Sequence, residues 1–358
     1  MKLEKLKKFW KNKKVLIIGH TGFTGSWLTI ALDYLGASIS GYSLGAEKKH
    51  IIFNSLKLEK KLKYNHFADI NNAHSFLNFI RKTQPQIIIN LAAQPLVKKS
   101  YLEPIQTYKT NVMGAINLLY LCRNLKSIKA ILMITTDKVY LNKEKNYSYK
   151  ETDALGGFDP YSSSKAASEI AIASFDKSFF NKKNSAFIAT ARSGNIIGGG
   201  DWSENRLIPD LIKSYYKKKR FVIRMPESIR PWQHVLEAVY GYLLLVQSLY
   251  QKKKYARGAW NFGPDKKNFL KVKNFLKKIN IVSKLNINWK VKKSNFHESS
   301  ILKLNNNKSK KLLKWKPILS LNEMIDLTFS WYEQHHINKK KLYHLSLSQV
   351  KFFFSKIK

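Results

Sequence analysis

The chain has 358 residues, and its 64 Lys and Arg against 23 Asp and Glu give a formal net charge of +41. Hydrophobic residues make up 44% and aromatic residues 13%, which excludes an intrinsically disordered protein in spite of the charge. The single cysteine, Cys122, excludes an intramolecular disulfide and any metal site built on several cysteines. This composition predicts a globular protein of about two domains in a reducing compartment, the cytoplasm.

The lysines are spread along the whole chain and are not gathered in one basic tail, which favours a solvated surface over a phosphate-binding stripe. A basic nucleic-acid-binding protein remains a remote alternative that depends on the charge alone. The longest apolar stretch, residues 235–249, carries Glu237 and Gln247 and predicts a packed helix. We therefore expect neither nucleic-acid binding nor membrane insertion.

Short β-branched runs alternate with amphipathic stretches over the first 180 residues. This pattern predicts an α/β protein, a Rossmann-type doubly wound parallel sheet with a smaller C-terminal substrate-binding lobe. A first helix continues to about residue 35 and ends at Gly36, and a second crosses over through residues 111–125. The predicted strands are residues 15–18, 38–42, 64–68, 87–91, 131–135 and 187–191.

A change of character after Gly200, towards longer loops with paired arginines, marks the start of the second lobe. We expect residues 1–195 to form the dinucleotide-binding domain, to which the chain returns near 235–265. Residues 196–234 and 266–336 form the substrate-binding lobe. Residues 337–358 are a tail of uncertain role, for which a packed or frayed helix is favoured over docking on a subunit or membrane surface.

Three glycines in the run GHTGFTG, Gly19, Gly22 and Gly25, follow the first strand and open the first helix. Glycines in this context let the backbone turn tightly and bring helix N-terminal amides against a pyrophosphate. The alternative is a purely structural turn. With its strand and helix in place, the run predicts a dinucleotide site.

Tyr161 and Lys165 lie four residues apart in PYSSSKAASE, a spacing that places both side chains on one face of a helix. An ammonium beside a phenol favours the phenolate, so we expect Lys165 to lower the Tyr161 pKa. The same spacing also arises by chance on solvated helices. Thr136, Asp137 and Lys138 follow the fifth strand and add an acid and a base next to this redox pair, which simple hydride transfer does not need.

Together Thr136, Tyr161 and Lys165 resemble the catalytic set of the short-chain dehydrogenase/reductase superfamily, and the glycine spacing resembles its extended branch. From about residue 14 to 333 the chain resembles the CDP-glucose 4,6-dehydratase family. Lys138 is the discriminating position, because dTDP-glucose 4,6-dehydratases typically have Glu there. The resemblance lies in the runs NLAAQPLVKKSYLEP, TNVMGAINLL, TTDKVY, YKETDALGGFDPYSSSKAASE, ARSGNIIGGGDWSENRLIPD, RPWQHVLEAVYGYLLL and WNFGP.

The resemblance implies oxidation at C4 of the hexose, elimination of water across C5 and C6, and return of hydride to C6, using bound NAD. Tyr161 would remove the 4-hydroxyl proton, Lys138 would act on the C5 hydrogen and Asp137 would protonate the departing 6-hydroxyl. The last two roles need a neutral amine and a protonated carboxyl, hence burial or mutual coupling. The alternative for Asp137 and Lys138 is a surface ion pair.

The resemblance also implies two sets of binding residues. For NAD they are Gly19, Thr21, Gly22, Phe23, Thr24, Gly25, Ser43, Asp69, Ile70, Leu91, Ala92, Ala93, Tyr161 and Lys165. For the nucleotide sugar they are Gln94, Asn195, Arg206, Arg224, Arg230, His234 and Asn261. Arginines hold phosphates in bidentate fashion, whereas a histidine such as His234 is more often a hydrogen-bonded core residue. The nine histidines show no paired ligand spacing, and we expect no metal.

The choice between NAD and NADP is not visible in the sequence. Ser43 occupies the place where an acidic residue often binds the ribose, Glu47 comes late, and Lys48 and Lys49 would suit a 2′-phosphate. The resemblance favours NAD. Val139 stands where the family commonly has Cys, a change of little expected consequence.

Rival functions remain open within the same fold: an epimerase, or a dehydratase acting on a sugar linked to a different nucleotide. The resemblance further implies a homo-oligomer, a dimer or tetramer, because helices equivalent to 111–125 and 161–175 commonly pair across a dimer interface. Deoxysugar synthesis for a surface polysaccharide such as lipopolysaccharide is the expected pathway.

Overall fold

A seven-stranded parallel sheet forms the centre of the molecule. The structure is a computed structural model, and it describes residues 2–45, 51–265, 268–292 and 301–357. All six strands predicted from the sequence form within two residues of their expected ends, which confirms the Rossmann-type fold. The strands are β1 Lys14–Ile18, β2 Ser38–Ser43, β3 Tyr64–Phe67, β4 Ile87–Asn90, β5 Ala130–Ile134, β6 Phe187–Ser193, β7 Asn195–Ile197, β8 Phe221–Ile223, β9 Ile229–His234, β10 Gly258–Phe262, β11 Phe269–Lys271 and β12 Trp289–Val291.

Helices cover both faces of this sheet. They are α1 Lys2–Trp10, α2 Phe23–Tyr34, α3 Ile51–Ser55, α4 Ala73–Thr83, α5 Val97–Leu102, α6 Pro104–Tyr108, α7 Gly114–Cys122, α8 Pro160–Phe179, α9 Leu207–Tyr216, α10 Val235–Tyr250, α11 Val272–Ser283, α12 Asn307–Leu313, α13 Leu321–Ile337 and α14 Leu342–Ser355. Within the described residues, none of these helices is both long and apolar enough to cross a membrane.

The crossover predicted as one helix over 111–125 is interrupted. A π-helical turn, Lys109–Met113, precedes α7, which ends at Cys122. Asn111 lies in this turn, and its side chain accepts a hydrogen bond from the Gln94 backbone and donates one to Ser164 Oγ at 2.8 Å. Such turns often occur at functional sites, and this one directs a buried amide towards α8.

Alternate residues of the central strands pack on opposite faces of the sheet. Ile17, Ile89 and Leu132 join the larger core, whereas Ile18 and Ile88 join the smaller one. A strand buried on both faces needs continuous apolar residues, which explains runs such as VLII and III. The larger core continues without interruption into the C-terminal lobe.

The order of strands along the sheet is β10-β6-β5-β4-β1-β2-β3. The order reverses between β1 and β4, and in such folds ligands usually bind in a crevice at this point, at the carboxyl ends of the strands. Strand β10 pairs with β6 at the edge, where the sequence predicts the return of the chain. Beyond β6, two small sheets, β11-β9-β7 and β12-β8, form the rest of the C-terminal half.

The tail forms a packed helix, α14. Its Leu342, Val350 and Phe353 are buried against the larger core. Tyr343 donates a hydrogen bond from its phenol to Asp33 Oδ2 of α2 at 3.0 Å. The helix therefore covers the outer side of α2, the helix that follows the glycine loop.

Candidate active site

The glycine loop between β1 and α2 is shaped by close backbone contacts. Gly19 has a φ of +82°, and a Cβ there would lie 2.8 Å from the Ala92 backbone nitrogen. A Cβ on Gly25 would lie 2.3 Å from the Gly19 carbonyl oxygen. Gly22 is the N-cap of α2 and supplies no side-chain cap. The loop thus brings β1, β4 and the N-terminus of α2 together as a dinucleotide cradle requires.

The far end of the cradle lies at the end of β2. Thr21 Oγ1 and Ser43 Oγ are hydrogen-bonded at 2.7 Å, and both side chains are buried. Ser43 therefore occupies the expected position beside the glycine loop. Glu47, Lys48 and Lys49 lie outside the described residues.

The other residues expected to contact the dinucleotide follow the ends of β3 and β4 or open α2. Asp69 is held by the Asn71 amide, which donates to Asp69 Oδ1 at 2.8 Å, and Ile70 is buried against Gly114. Those that are half-buried along the crevice are Phe23, Thr24, Leu91, Ala92 and Ala93. Their contacts with a dinucleotide remain predictions.

His20, inside the glycine loop, was not singled out from the sequence. Its ring is fully buried and lies against Gly41, where a Cβ would come within 2.6 Å of the ring. Burial lowers the pKa of His20 to about 4, so the ring is neutral at physiological pH. Gly41 is therefore required for the fit of this side chain.

Helix α8 begins at Asp159, whose carboxylate accepts a hydrogen bond from the Ser162 amide at 3.0 Å, and Pro160 occupies its first turn. The Tyr161 amide donates to Ser100 Oγ at 3.1 Å, which fixes this end of the helix against α5. One turn further, Lys165 Nζ donates to the Ile134 carbonyl oxygen at 3.1 Å. The Tyr-Lys pair is therefore held beside the end of β5, and both side chains are buried.

The prediction that Lys165 lowers the pKa of Tyr161 is wrong when only the protein's own groups act on the phenol. Burial raises the pKa of Tyr161 to about 12, and a hydrogen bond with Thr136 and the charge of Arg206 only partly oppose it. Burial also lowers the pKa of Lys165 to about 8, against the attraction of Glu169. Desolvation outweighs the local charges because both groups lie inside the protein.

The segment after β5 carries Thr136, Asp137 and Lys138. The Thr136 hydroxyl donates to Asp137 Oδ1 at 3.1 Å, and it lies close enough to the Tyr161 phenol to lower the pKa of Tyr161. Asp137 is 3% exposed, and its Oδ2 has no hydrogen-bond partner among the residues that the structure describes. Burial raises the pKa of Asp137 to about 6, although Lys138, Thr136 and Arg230 all lower it. The direction is the one expected of a general acid.

Lys138 is half-buried, and its charge acts on the neighbouring Asp137. The Asp137 carboxyl therefore lies near the Tyr161 phenol, whose pKa it raises, and the charge of Lys138 acts on that carboxyl. This arrangement excludes the alternative of a solvated surface ion pair for Asp137. Val139, next in the chain, is fully buried.

Arginines and polar residues from the C-terminal lobe face the same region. Arg206 Nη1 donates to Asp201 Oδ2 at 3.1 Å, and its charge acts on Tyr161. Arg230 acts on Asp137 in the same way. Arg224 donates to the Asn205 carbonyl at 3.3 Å and lies near the start of α9, and Asn195 begins β7 and is half-buried.

Three residues expected to bind the sugar nucleotide serve the fold in this structure. Gln94 uses its amide to donate to Thr107 Oγ1 and to accept from the Leu96 amide, which shapes its own loop. His234 is fully buried and caps α10 by accepting a hydrogen bond from the Leu236 amide at 3.3 Å. The contacts expected of these two side chains with a sugar nucleotide remain predictions.

Asn261 is the third of these residues. Its side chain is fully buried, accepts a hydrogen bond from the Tyr140 phenol at 2.7 Å and donates to the Tyr149 carbonyl at 2.9 Å. Its contact with a sugar nucleotide remains a prediction. It joins β10 to the segments around Tyr140 and Tyr149.

The described residues contain no group of three or more His, Cys, Asp or Glu side chains arranged to hold a metal ion. Cys122 is buried in α7, and burial raises the pKa of its thiol. Neither observation adds a group to the site.

The family model described as GDP-mannose 4,6 dehydratase matches residues 16–328. The chain is 40% identical over 333 residues to a CDP-glucose 4,6-dehydratase of Salmonella typhimurium, covering 91% of this chain and 92% of that relative. The chain belongs to the GDP-mannose 4,6-dehydratase family. A UDP-glucose 4-epimerase of Mycoplasma pneumoniae is 24% identical, over 87% of this chain and 94% of its own length.

Solved structures share the fold of this family member. A dTDP-glucose 4,6-dehydratase of Bacillus anthracis in complex with NAD has a TM-score of 0.74 and 21% identity, over 92% of this chain and 99% of the other. A UDP-glucose 4-epimerase of Thermotoga maritima with UDP-glucose has a TM-score of 0.77 and 20% identity, over 90% and 99%.

One acidic residue of the site was not singled out from the sequence. Glu169 lies one helical turn after Lys165 in α8, is 4% exposed and pairs with Arg192 of β6. Its spacing from Lys165 in SKAASE is the signal that predicts a shared helix face. Its partners come from β6 and from the residue that follows β5, which only the fold brings together.

The raised pKa of Asp137 predicts how stability depends on pH. The unfolded chain loses this proton near pH ~4 and the folded chain near pH ~6, so ionisation costs stability as the pH rises through that window. Relative to wild type, Asp137→Asn should gain about 3 kcal/mol in the free energy of unfolding between pH ~4 and pH ~7.5, an upper estimate. Urea titrations at both pH values measure this gain, and a difference that does not change with pH would contradict it.

Proposed function

We propose that this chain converts CDP-glucose into CDP-4-keto-6-deoxyglucose with NAD as a regenerated cofactor, the activity of a hydro-lyase. The observation that carries the proposal is the position of the Thr136 hydroxyl, which donates a hydrogen bond to Asp137 Oδ1 at 3.1 Å and lies near the Tyr161 phenol, whose pKa it lowers. It connects an oxidation group with an elimination group. The 40% identity to a CDP-glucose 4,6-dehydratase supports the substrate.

The residues of the glycine cradle fit a dinucleotide, because its two closest approaches, at Gly19 and Gly25, leave no space for a Cβ. Gly19, Gly22 and Gly25 would hold the pyrophosphate against the start of α2, and Ser43 would lie beside the ribose. When bound, NAD supplies a positively charged ring that takes hydride from C4 of the hexose and gives it back at C6. Asp69, Ile70 and residues 91–93 would line the same crevice.

Tyr161 would take the proton of the C4 hydroxyl as C4 is oxidised. Its pKa is high in the protein alone, and the groups that lower it, Thr136 and Arg206, already lie beside it. Lys165 would hold the helix geometry through the Ile134 carbonyl and keep a cation near the site. The resulting 4-keto group makes the C5 hydrogen acidic.

Lys138 would remove that C5 proton, and Asp137 would give its proton to the 6-hydroxyl, which leaves as water. Hydride then adds to C6 and a proton returns to C5, so C4 is oxidised, C6 is reduced and one water is lost. Burial favours the protonated form of Asp137 that this step needs. An epimerase needs neither residue, which favours a dehydratase over the epimerase alternative.

The sugar nucleotide would lie between the two lobes, with residues 1–195 and 235–265 on one side and residues 196–234 and 266–336 on the other. Arg206, Arg224 and Arg230 would bind the diphosphate, because guanidinium groups match phosphate oxygens in bidentate fashion. Asn195 would contact the sugar. Lys138, where dTDP-glucose dehydratases typically have Glu, supports cytidine as the nucleotide.

The test starts from purified protein with NAD and CDP-glucose, with dTDP- and GDP-glucose as controls. We expect a 4-keto-6-deoxy product from CDP-glucose alone. In Lys138→Met the elimination should slow by about 10²- to 10⁴-fold, because a positioned base contributes that much. Reduced nicotinamide should still form in this variant.

Mass spectrometry in heavy water follows the same step, because removal of the C5 proton admits one solvent deuterium. Product from wild type should carry that deuterium, and Lys138→Met should incorporate it much more slowly. No turnover with any nucleotide sugar would refute the dehydratase. Normal dehydration by Lys138→Met would remove Lys138 from the mechanism.

We further propose a homo-oligomer, a dimer or tetramer, built on α5 to α8. Ile105 is 83% exposed and Ile170 is 61% exposed, and an apolar surface of this kind marks an interaction site. The other exposed apolar side chains of these helices are Leu102, Tyr108, Met113, Tyr120 and Phe179. We expect a dimer or larger assembly by light scattering. Ile170→Glu should shift it to monomer, and an unchanged mass would place the interface elsewhere.

A cytoplasmic location, with neither nucleic acid nor membrane as a partner, belongs to the same proposal. The single buried cysteine, which forms no intramolecular disulfide, supports a reducing compartment. The product would supply deoxysugar synthesis for a surface polysaccharide such as lipopolysaccharide. Filter binding of nucleic acid at physiological salt should show weak retention, and tight retention would revive the nucleic-acid alternative.

A further inference from the structure

A buried ion pair lies behind the catalytic groups. Arg192 of β6 and Glu169 of α8 are 2% and 4% exposed, and they are joined by two parallel bonds, Nε to Oε1 at 2.8 Å and Nη2 to Oε2 at 2.5 Å. Two hydroxyls also donate hydrogen bonds to the Glu169 carboxylate: Thr135 Oγ1 donates to Oε1 at 2.6 Å, and Thr190 Oγ1 donates to Oε2 at 3.0 Å. Every strong acceptor site of Glu169 is therefore in use.

The two members of this pair hold the two ends of one short stretch of chain. Glu169 binds Thr135, the residue before Thr136, and Arg192 Nη1 donates to the Tyr140 phenol at 2.8 Å. We call residues 135–140 the 135–140 segment. It carries Thr136, Asp137 and Lys138 between these two contacts. The phenol of Tyr140 in turn donates to Asn261 Oδ1 at 2.7 Å, which ties this end to β10.

Net stability does not explain such a pair well. Removing two charges from water is costly, and apolar residues of similar volume are often as stabilising. A rigid bidentate pair does, however, specify one arrangement of the elements that it joins. Here those elements are α8, which carries Tyr161 and Lys165, and the 135–140 segment.

We propose that Glu169 and Arg192 are positioning residues that set the 135–140 segment, and so the elimination groups Asp137 and Lys138, relative to the Tyr161 helix. This inference rests on the proposed dehydratase activity for its kinetic consequence. The pair touches neither substrate nor cofactor in this account. It acts through Thr135 at one end of the segment and through Tyr140 at the other.

The chain offers a matched pair of variants. Thr135→Val and Thr190→Val each remove one hydroxyl donor from the same carboxylate without changing the side-chain shape. Only Thr135 is continuous with the 135–140 segment, since Thr190 lies within β6. A purely structural role for Glu169 predicts the same effect from both substitutions.

Single-turnover experiments with CDP-glucose and NAD measure two rates, formation of reduced nicotinamide and elimination of water. We expect Thr135→Val to lower the elimination rate about tenfold relative to the oxidation rate, because small displacements of reacting groups are costly. Tyr140→Phe should change the ratio in the same direction. Thr190→Val should leave the ratio within about twofold of wild type. Equal ratios in the two Val variants would overturn the proposal.

Hydrogen–deuterium exchange tests the positioning without turnover. Amides of residues 136–140 should exchange faster in Thr135→Val than in wild type or Thr190→Val, at similar melting temperatures of the two variants. If wild type does not turn over CDP-glucose, the proposed function fails while this measurement still tests the positioning. Equal exchange in both Val variants would refute it, and if Tyr140→Phe does not fold, the Val pair decides alone.

Discussion

Burial of charged and ionisable groups at the carboxyl end of β5 is the constraint on which the rest of the site depends. Asp137, Tyr161 and Lys165 are each less than 9% exposed, and burial shifts the pKa of each in the direction that favours the neutral form of the group. Such groups are tolerated only where hydrogen bonds and opposite charges surround them. The Thr136 hydroxyl and the Glu169–Arg192 pair provide those contacts. The contacts that offset the cost of burial therefore also fix the geometry of the site.

Parallel-sheet topology explains why groups distant in sequence meet here. The carboxyl ends of β1, β4, β5 and β6 share one edge of the sheet, and the reversal of strand order between β1 and β4 opens it for a ligand. The glycine loop, the 135–140 segment and Arg192 leave that edge from neighbouring strands. Chemistry that the proposal divides into oxidation and elimination is therefore built on adjacent strand ends and on one helix, α8.

Local patterns were enough to predict the strands, the glycine loop and the positions of Tyr161 and Lys165, because each follows from residue spacing within one or two elements. The hydrogen bonds that hold Gln94, His234 and Asn261 could not be predicted, because their partners are set by the tertiary fold. Asn261 accepts from Tyr140, 121 residues away in the chain. Sequence shows a residue's donors and acceptors, but only the fold shows whether they are already used.

The direction of the Tyr161 pKa shift also could not be predicted from the sequence alone. A helix spacing predicts that a lysine lies near a phenol, yet the sign of the shift is decided by how much water both groups lose. Glu169 follows Lys165 in the same helix at the four-residue spacing. Its role depends on its hydrogen bonds with Thr135, Thr190 and Arg192. None of these partners shares its element.

If one site oxidises C4 and reduces C6 of the same hexose, hydride must move within one substrate molecule. The most direct measurement uses CDP-glucose deuterated at C4, mixed with unlabelled CDP-glucose, and locates the deuterium in the product by NMR and mass spectrometry. We expect deuterium at C6 of the molecules that carried it at C4. Deuterium retained at C4, or released to water, would contradict it.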